Sequence, residues 1–280
     1  MISCKEYVEI RKKELKKQIS KYTSKGLKAP RLCVIQVGDN PASNSYIKGK
    51  LKDCAEVGIS VDHIKLDENT NKIELKTTIR ECSNSSKFDG VIVQLPLPKH
   101  IDVDEITYCI PENKDVDGFR RNSLFEPCTP KGIMDWLEYN KYDVEGRDVT
   151  VIGRSKIVGK PLVNMLIDKG ATVTCCNSKT DCLMAHTLPA HVIISAIGKP
   201  EYFYHLDFDN PDIIIDVGIN RDENGKLCGD VNREDVIKHF PNTYVTPVPG
   251  GIGLLTRLSL LDNVVKAYEI HSQTYNNNIN

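Results

Sequence analysis

The chain has 280 residues, enough for about two domains with cores of their own, and its 37 basic and 38 acidic residues leave a net charge of -1. Such a balance gives no reason to expect nucleic acid or a membrane as a partner, and no apolar run approaches the ~18 residues of a membrane-spanning helix. The ten cysteines form no C-x-x-C pair and no metal-type cluster with histidine, and the N-terminal segment lacks a signal-peptide core, so we expect a reduced, cytoplasmic protein without a metal site.

Helix and strand patterns alternate through the first half of the chain. Apolar residues at helical spacing over 4–22 predict an amphipathic helix, and 31–37 reads as a buried strand. Asn40 and Pro41 then cap and open a helix that ends at Gly58. The next predicted elements are a strand at 60–66, a helix at 73–82 and a strand at 90–94. This alternation predicts an α/β domain with a mainly parallel sheet.

The alternation continues in the second half. Thr129-Pro130 predicts the start of a helix to about Asn140, which leads into a second domain. The predicted strands lie near 149–152, 172–176, 191–195, 212–216 and 244–247, with a hairpin turn at 223–225. A helix from Leu255 to about His271 is predicted to return to the first domain. We therefore expect two α/β domains, the first formed by 1–140 with 256–280 and the second, a Rossmann-like dinucleotide-binding domain, by 141–255.

The segment VTVIGRSKIVGKPL (149–162) is the strongest local signal in the chain. Gly153 ends a short buried strand, Ser155 and Gly159 keep the turn small, and Pro161 suits the first turn of a helix. A tight turn before a helix presents backbone N–H groups that can bind a pyrophosphate. The spacing is not the usual G-x-G-x-x-G, so an ordinary strand-to-helix turn is the alternative.

The end of the following strand bears on the choice of cofactor. The sequence there is Asn177-Ser178-Lys179, where an acid normally binds an adenosine ribose hydroxyl. A hydroxyl and a base at this point, together with Arg154 in the preceding turn, suit a 2′-phosphate. The composition therefore favours NADP over NAD.

Polar residues in the first domain form a second candidate site. Tyr46 and Lys50 are four residues apart and share one face of the helix opened by Pro41. Gln94 ends a predicted strand, where open α/β sheets place ligands. A lysine in such a cleft could act as a base or orient a water molecule. The alternative is a surface Tyr/Lys pair.

Two loops complete the candidates. The loop 114–119 (KDVDGF) contains Asp115 and Asp117; the latter suits a guanidine-like edge of a heterocycle better than a metal, because no further ligands are nearby. The loop 247–253 (PVPGGIG) can bring backbone close to a flat ligand. An interdomain hinge is the alternative for this loop.

Five blocks of the sequence resemble one family and occur in that family's order. They are VGDNPASNSYIKGKLKDCAEVGI (37–59), DGVIVQLPLP (89–98), KDVDGF (114–119), VTVIGRSKIVGKPL (149–162) and VTPVPGGIG (245–253). PCTPKGI (127–133) and DVGIN (216–220) add to them. The chain resembles the bifunctional methylenetetrahydrofolate dehydrogenase/methenyltetrahydrofolate cyclohydrolases over nearly its whole length.

The resemblance implies a role for each candidate residue. Tyr46 is similar to the tyrosine that stacks on the substrate, Lys50 to the lysine of the cyclohydrolase step with Gln94 as its hydrogen-bond partner, and Asp117 to the aspartate that holds the pterin. The implied substrate-binding set is Tyr46, Lys50, Gln94, Leu95, Asp117, Pro247, Gly250 and Gly251. The implied cofactor-binding set is Gly153, Arg154, Ser155, Ser178 and Ile219.

The implied activity is NADP-dependent oxidation of 5,10-methylenetetrahydrofolate to the methenyl compound, followed by hydrolysis to 10-formyltetrahydrofolate, by a homodimer. A monofunctional dehydrogenase and a silent folate- or nucleotide-binding protein are the alternatives. Lys50 argues against the first, and the presence of Lys50, Gln94 and Asp117 argues against the second. The chain departs from the family pattern in a short link between Phe119 and Pro127 and in Leu254, where a proline is frequent.

Overall fold

The structure is a computed structural model that describes residues 1–277, with side chains described through Ser272. The helices are α1 (Cys4–Ser24), α2 (Pro41–Val57), α3 (Lys72–Asn84), α4 (Val103–Thr107), α5 (Cys128–Tyr139), α6 (Gly159–Asp168), α7 (Met184–Thr187), α8 (Arg233–His239) and α9 (Ile252–Asn277). The strands are β1 (Arg31–Val37), β2 (Ser60–Leu66), β3 (Gly90–Val93), β4 (Asp148–Ile152), β5 (Thr172–Cys176), β6 (Val192–Ser195), β7 (Ile213–Asp216), β8 (Asn220–Arg221), β9 (Leu227–Cys228) and β10 (Tyr244–Val245). The predicted α/β class is confirmed.

The short helices α4, α7 and α8, and the 3-10 helix at His205–Asp207, were not predicted from the sequence. Each has two turns or fewer, so each is too short for the apolar periodicity that identifies longer helices. The hairpin predicted around 223–225 is present: β8 and β9 pair antiparallel, and Gly225 has a φ of 76° in the turn between them.

The chain divides into two compact units. The three-stranded unit comprises residues 9–128 and the chain from 257 onward, and the five-stranded unit comprises 1–8 and 129–256. These limits differ from the predicted domain boundaries, because α5 and the first eight residues lie in the five-stranded unit. Local contacts explain the difference, since the backbone N–H of Ile2 donates to the side chain of Asn140, the residue after α5.

The three-stranded unit is built on the order β2-β1-β3, with all neighbours parallel. Six successive residues of β1, from Leu32 to Val37, are buried, as expected of a strand covered on both faces. Apolar residues of α3 and of β1 and β3 form the core, among them Ile35, Leu75, Ile79 and Val91. Helices α2 and α3 connect the strands as crossovers.

The five-stranded unit has the order β10-β7-β6-β4-β5, again entirely parallel. The first strand of this sheet, β4, lies next to one edge; the chain continues to the edge strand β5 and then returns to the other side of β4 as β6. The strand order therefore reverses next to β4, which is where open α/β sheets bind ligands. Its core includes Ile152, Ile193, Phe203 and Ile214.

Two global features concern the whole of the described chain. All ten cysteines are free thiols. Within residues 1–277, no helix combines the length and the apolar character needed to cross a membrane.

Helix α2 shows how the sequence fixes an element that carries candidate residues. The Asn40 side chain accepts hydrogen bonds from the backbone N–H groups of Ala42 and Ser43 at 2.9 and 3.2 Å. Pro41 occupies the first turn, where its missing N–H loses no bond. Gly58 ends the helix with a φ of 96°, a left-handed conformation that glycine adopts at little cost.

We expect Asn40→Ala to lower the free energy of unfolding by about 1 kcal/mol, because two N–H groups lose their acceptor. Urea denaturation followed by circular dichroism measures the shift of the midpoint. Asn242→Ala is the matched control, since Asn242 is exposed and its side chain makes no hydrogen bond to the described residues. Equal midpoints for the two variants would contradict the capping role.

Candidate active site

Tyr46 and Lys50 lie one turn apart on α2, as predicted. The Lys50 ammonium is 5.6 Å from the centroid of the Tyr46 ring, within the range of a cation–π contact. Lys50 is only 5% exposed, so the alternative of a solvated surface pair does not hold for it. A buried lysine requires a counter-charge or a polar partner nearby.

That counter-charge is Asp117. Lys50 Nζ lies 3.7 Å from Asp117 Oδ1, and Asp117 is 7% exposed. The structure therefore brings together three of the predicted site residues, Tyr46, Lys50 and Asp117. Removing one member of a buried ion pair leaves the other charge uncompensated, which costs more than the pair itself contributes.

The loop that carries Asp117 is fixed by its neighbours. Gly118 has a φ of 70°, and a Cβ there would lie 2.6 Å from the backbone of Glu126, so only glycine fits. The amide of Asn263 on α9 donates to the backbone carbonyls of Val116 and Glu126 at 2.9 and 3.1 Å. These bonds hold the backbone at Val116 close to the backbone at Glu126.

Asp115 lies in the same loop as Asp117, and the sequence alone predicts no role for it. Its side chain is 1% exposed and accepts hydrogen bonds from the backbone N–H groups of Phe119 and Arg120. Burial raises the pKa of Asp115 to about 6, against the opposing effect of those N–H donors. Asp115 therefore braces the loop from inside, two residues from Asp117.

Gln94 lies at the carboxyl end of β3, as predicted, but its side chain does not make the hydrogen bond to Lys50 that the resemblance implied. Its Nε2 donates to the backbone carbonyl of Leu95 at 2.7 Å, and no hydrogen bond joins Gln94 to Lys50 within the described chain. The Gln94 Oε1 is buried without a hydrogen-bond partner among the described residues. An orphaned buried acceptor is unfavourable, so it marks a point where a water or a ligand would be bound.

The loop after Gln94 is tied to α2. The Ser43 hydroxyl donates to the Leu95 carbonyl at 3.3 Å, and the Leu95–Pro96 peptide bond is cis. A cavity of about 460 Å³ opens beside this loop at the carboxyl edge of the sheet. Its lining residues are Val37, Gly38, Asp39, Asn40, Glu68, Asn69, Pro96, Leu97, Pro98 and His100.

In the five-stranded unit, the turn after β4 requires glycine twice. Gly153 has a φ of 122°, and a Cβ there would lie 2.5 Å from the carbonyl oxygen of Ala196. A Cβ on Gly159 would lie 2.0 Å from the carbonyl oxygen of Gly153. The turn is therefore as tight as the sequence predicted, and α6 begins directly behind it.

The prediction that this turn presents free backbone N–H groups needs one correction. The Ser155 hydroxyl accepts from the N–H groups of Val158 and Gly159 at 3.2 and 3.3 Å. Two donors at the start of α6 are thus already satisfied by the protein itself. A serine hydroxyl as an internal cap is a common alternative to a bound anion at a helix start.

Arg154 and Ser178 come to neighbouring positions at the edge of the sheet. Ile152 pairs with Cys176 at the ends of β4 and β5, and the Gly153 N–H donates to the Cys176 carbonyl at 2.9 Å. Arg154 and Ser178 follow these paired ends, and both are exposed. A base and a hydroxyl are therefore available to a phosphate at this edge.

Ile219 belongs to a segment held by two buried aspartates that the sequence analysis missed. Asp216 is 2% exposed and accepts from the N–H groups of Gly218, Asp230 and Val231. Asp230 is fully buried and accepts from the Ser195 hydroxyl and from the N–H groups of Ile197 and Lys199. Ile219 itself remains 58% exposed. In the sequence, Asp216 and Asp230 flank the predicted hairpin. No local rule predicts that the backbone N–H of Asp230 donates to the Asp216 carboxylate.

The loop before α9 adopts a conformation that depends on glycine. Gly250 has a φ of 106°, and a Cβ on Gly251 would lie 2.4 Å from the carbonyl oxygen of Pro247. The adjacent Thr246 hydroxyl accepts from the N–H of Asp216, which ties this loop to the end of β7. The loop is therefore fixed to the five-stranded unit at β7.

Comparison with known proteins assigns the chain to one enzyme family. The catalytic-domain model of the tetrahydrofolate dehydrogenase/cyclohydrolases matches residues 2–117, and the NAD(P)-binding domain model of the same family matches residues 127–272. The bifunctional protein FolD of Lysinibacillus sphaericus is 43% identical over 249 residues, which cover 86% of this chain and 87% of that protein.

Solved structures agree. The bifunctional enzyme FolD, a methylenetetrahydrofolate dehydrogenase/cyclohydrolase from Campylobacter jejuni, superposes with a TM-score of 0.91 at 42% identity, covering 95% of this chain and 97% of that one. The methylenetetrahydrofolate dehydrogenase-cyclohydrolase of Trypanosoma brucei, solved with NADP and an inhibitor, gives a TM-score of 0.89 at 27% identity, with 96% and 97% covered. The resemblance and the fold predicted from the sequence are confirmed: the chain belongs to the tetrahydrofolate dehydrogenase/cyclohydrolase family.

Proposed function

We propose that this chain oxidises 5,10-methylenetetrahydrofolate to 5,10-methenyltetrahydrofolate with NADP and hydrolyses that product to 10-formyltetrahydrofolate. The carrying observation is the buried Lys50–Asp117 pair beside Tyr46, in a chain that matches both the catalytic and the NAD(P)-binding models of the family. The reaction places the protein in the one-carbon metabolism that supplies purine biosynthesis.

The oxidation needs orientation rather than a strong acid or base. The Asp117 carboxylate can accept hydrogen bonds from the amino-pyrimidine edge of the pterin, and the Tyr46 ring offers a face for stacking. When bound, NADP accepts a hydride from the one-carbon bridge of the substrate. Leu95, Pro247, Gly250 and Gly251 are further proposed substrate-binding residues, because their segments resemble those of the family.

The hydrolysis needs a positioned water and a proton acceptor. Water adds to the cationic methenyl carbon and gives up a proton, which leaves a neutral carbinolamine. The bond from that carbon to N5 then breaks as N5 takes up a proton and the hydroxyl group loses one, so the formyl group remains on N10. Lys50 is proposed to orient that water and move its proton, while Asp117 keeps the lysine charge compensated at 3.7 Å. The unpartnered Gln94 Oε1 supplies a second acceptor for the water or for Lys50.

The residues of the five-stranded unit fit a dinucleotide. Side chains at Gly153 and Gly159 would collide with the carbonyl oxygens of Ala196 and Gly153, so both glycines keep the turn after β4 as tight as a dinucleotide-binding turn requires. Gly153, Ser155 and Ile219 are proposed to contact the cofactor. Exposed Arg154 and Ser178 favour a 2′-phosphate, hence NADP over NAD.

Three further assignments are part of the proposal. Residues 1–140 with 256–280 bind folate, and 141–255 bind NADP. The protein is a homodimer, since β5 is an edge strand of the five-stranded sheet, with backbone groups open to pairing. It works in the cytoplasm, as ten free thiols suit a reducing compartment.

A spectrophotometric assay tests the proposed function. Purified protein is mixed with methylenetetrahydrofolate and NADP or NAD, and the methenyl compound alone is then followed by its absorbance. We expect reduction with NADP and enzyme-dependent decay of the methenyl compound. Reduction without decay would reduce the function to a monofunctional dehydrogenase.

We expect Lys50→Ala to slow hydrolysis of the methenyl compound by at least about 10²-fold while a measurable part of the dehydrogenase activity remains. The reason is that proton transfer is needed only in the second reaction. Lys52→Ala, which removes an exposed lysine from the same helix, is the control and should leave both activities unchanged. Equal loss of both activities in Lys50→Ala would remove the proposed role of this lysine.

We expect Arg154→Ala to raise KM for NADP about tenfold and to leave KM for NAD nearly unchanged, because only NADP carries the phosphate that the guanidinium binds. Initial rates with each cofactor at varied concentration provide both constants. Lys169→Ala removes an exposed cation just after α6 and should change neither constant. A parallel rise for both cofactors would contradict recognition of the 2′-phosphate.

We expect Asp230→Asn to destabilise the protein by roughly 1–3 kcal/mol, because several buried donors lose a charged acceptor. If the network positions Ile219 for the cofactor, KM for NADP should rise while the rate of methenyl hydrolysis falls much less. Asp222→Asn, in the exposed turn of the same hairpin, is the matched control. A purely structural role would lower stability and leave KM for NADP at the control value.

A further inference from the structure

A cluster outside the proposed active site brings together three side chains with metal-binding chemistry. His205 lies in the 3-10 helix, and Asp235 and His239 lie on α8. One ligand atom from each of the three lies within 4.8 Å of the other two. No other described group of three or more histidine, cysteine, aspartate or glutamate side chains reaches this proximity. The sequence shows no local metal motif here, since His205 and Asp235 are thirty residues apart.

The two imidazoles both lie close to the Asp235 carboxylate. His205 Nδ1 lies 2.8 Å from Asp235 Oδ2, and His239 Nδ1 lies 3.5 Å from Asp235 Oδ1. The two imidazole rings are stacked, with centroids 3.5 Å apart and planes 15° apart. Ligand atoms bound to a common zinc ion at about 2.1 Å are separated by about 3.0–3.5 Å, close to the present spacing of the donors around Asp235. His239 Nδ1 now donates to the Asp235 backbone carbonyl at 2.9 Å, so binding requires the His239 ring to leave this bond and to rotate out of the stack.

The carboxylate is held in place independently of the histidine rings. The backbone N–H of His205 donates to Asp235 Oδ2 at 2.8 Å, and Asp235 and His239 are four residues apart on α8, hence on one face. That hydrogen bond is the main reason why the pKa of Asp235 is lowered, so the carboxylate is ionised at neutral pH. A pre-positioned anion next to two imidazoles is a donor set that attracts a cation.

The identity of the donors selects the cation. Two imidazoles and one carboxylate suit zinc and neighbouring transition metals, whereas magnesium and calcium prefer oxygen ligands. The side chains of His205, Asp235 and His239 are 27%, 23% and 39% exposed. This partial exposure leaves an entry path and room for water in the remaining coordination position.

We propose that His205, Asp235 and His239 form a binding site for a divalent transition-metal ion such as zinc. The cation takes the place of the proton between His205 Nδ1 and Asp235, and the imidazole binds it as the neutral tautomer whose single proton is on Nε2. Bound metal ties the 3-10 helix to α8, two segments that are otherwise joined through the Asp235 carboxylate. Helix α8 leads into the amino end of β10, whereas the glycine turn after β4 lies at the carboxyl end of its strand. The site is therefore a structural one, at a distance from the proposed chemistry.

Zinc titration of the untagged full-length protein tests the proposal. We expect Zn²⁺ to raise the midpoint of thermal unfolding reversibly, with reversal by EDTA, and Mg²⁺ to have no such effect. His239→Gln and His205→Gln should each weaken zinc binding at least about tenfold, measured by competition with a chromophoric chelator. His191→Gln is the matched control. The His191 side chain is also exposed, and its Nδ1 lies 3.8 Å from Asp148 Oδ2, but no third metal-binding side chain among the described residues is close to this pair.

Cobalt distinguishes this site from the exposed thiols of Cys175 and Cys182. A Co²⁺ complex of the histidine–aspartate site should show ligand-field bands without thiolate charge-transfer absorption, and His239→Gln should remove those bands. Unchanged zinc affinity in both His205→Gln and His239→Gln, or a cobalt spectrum dominated by thiolate, would overturn the proposal. Because His239 is exposed, its variant is expected to fold, and the unfolding midpoint without zinc verifies this.

Discussion

A lysine ammonium and an aspartate carboxylate, each shielded from water, lie 3.7 Å apart in the three-stranded unit, and the local structure is arranged to keep them there. Desolvation of two charges is unfavourable and is offset only when geometry and further hydrogen bonds are good. In this chain, the helix that carries the lysine and the loop that carries the aspartate are both held by further hydrogen bonds or by packing. Helix α2 is fixed at its start by Asn40, and the loop of Asp117 is fixed by Gly118 and by the amide of Asn263. A buried pair held so rigidly is better suited to chemistry than to stability.

Both units use the same device to hold a loop near a ligand edge. Asp115 accepts from two backbone N–H groups of the loop that follows it, and Asp216 accepts from three around the hairpin that follows β7. A carboxylate can satisfy several N–H groups that point toward one spot, which neutral side chains cannot do as well. In each case the residue proposed to touch a ligand, Asp117 or Ile219, lies only two or three positions away along the chain.

Local rules account for most of what the sequence predicted. The cap at Asn40, the glycine turns at Gly153 and Gly225, and the buried strands follow from residues adjacent in the chain, and all are present. The resemblance added the identity of the site residues, of which Tyr46, Lys50 and Asp117 are in contact. The predictions that were wrong concern side chains that have more than one possible hydrogen-bond partner. Gln94 bonds to Leu95 and not to Lys50, and the Ser155 hydroxyl caps α6 internally.

Interactions between distant segments lay beyond the sequence for a physical reason. The bond between Asp230 and Ser195, and the meeting of His205 with Asp235, join residues 35 and 30 positions apart, and each depends on the full course of the sheet between them. The same holds for the limits of the two units. Helix α5 was assigned to the first domain from its position in the chain, but Gly132 packs directly on the backbone of Leu255 within the five-stranded unit.

The buried aspartates also set the acid limit of the loops that they hold. Burial raises the pKa of both Asp115 and Asp216 to about 6, so both are largely ionised at neutral pH and take up protons as the pH falls through 6. Because these pKa values are raised relative to the unfolded chain, protonation between pH 6 and about 4 favours the folded state through this term. Mild acid should therefore weaken the hydrogen bonds that position the loops without unfolding the protein. The ¹³C chemical shifts of the two carboxyl carbons measure this titration directly, and midpoints near 4 would contradict both the raised pKa values and the predicted weakening of the loops in mild acid.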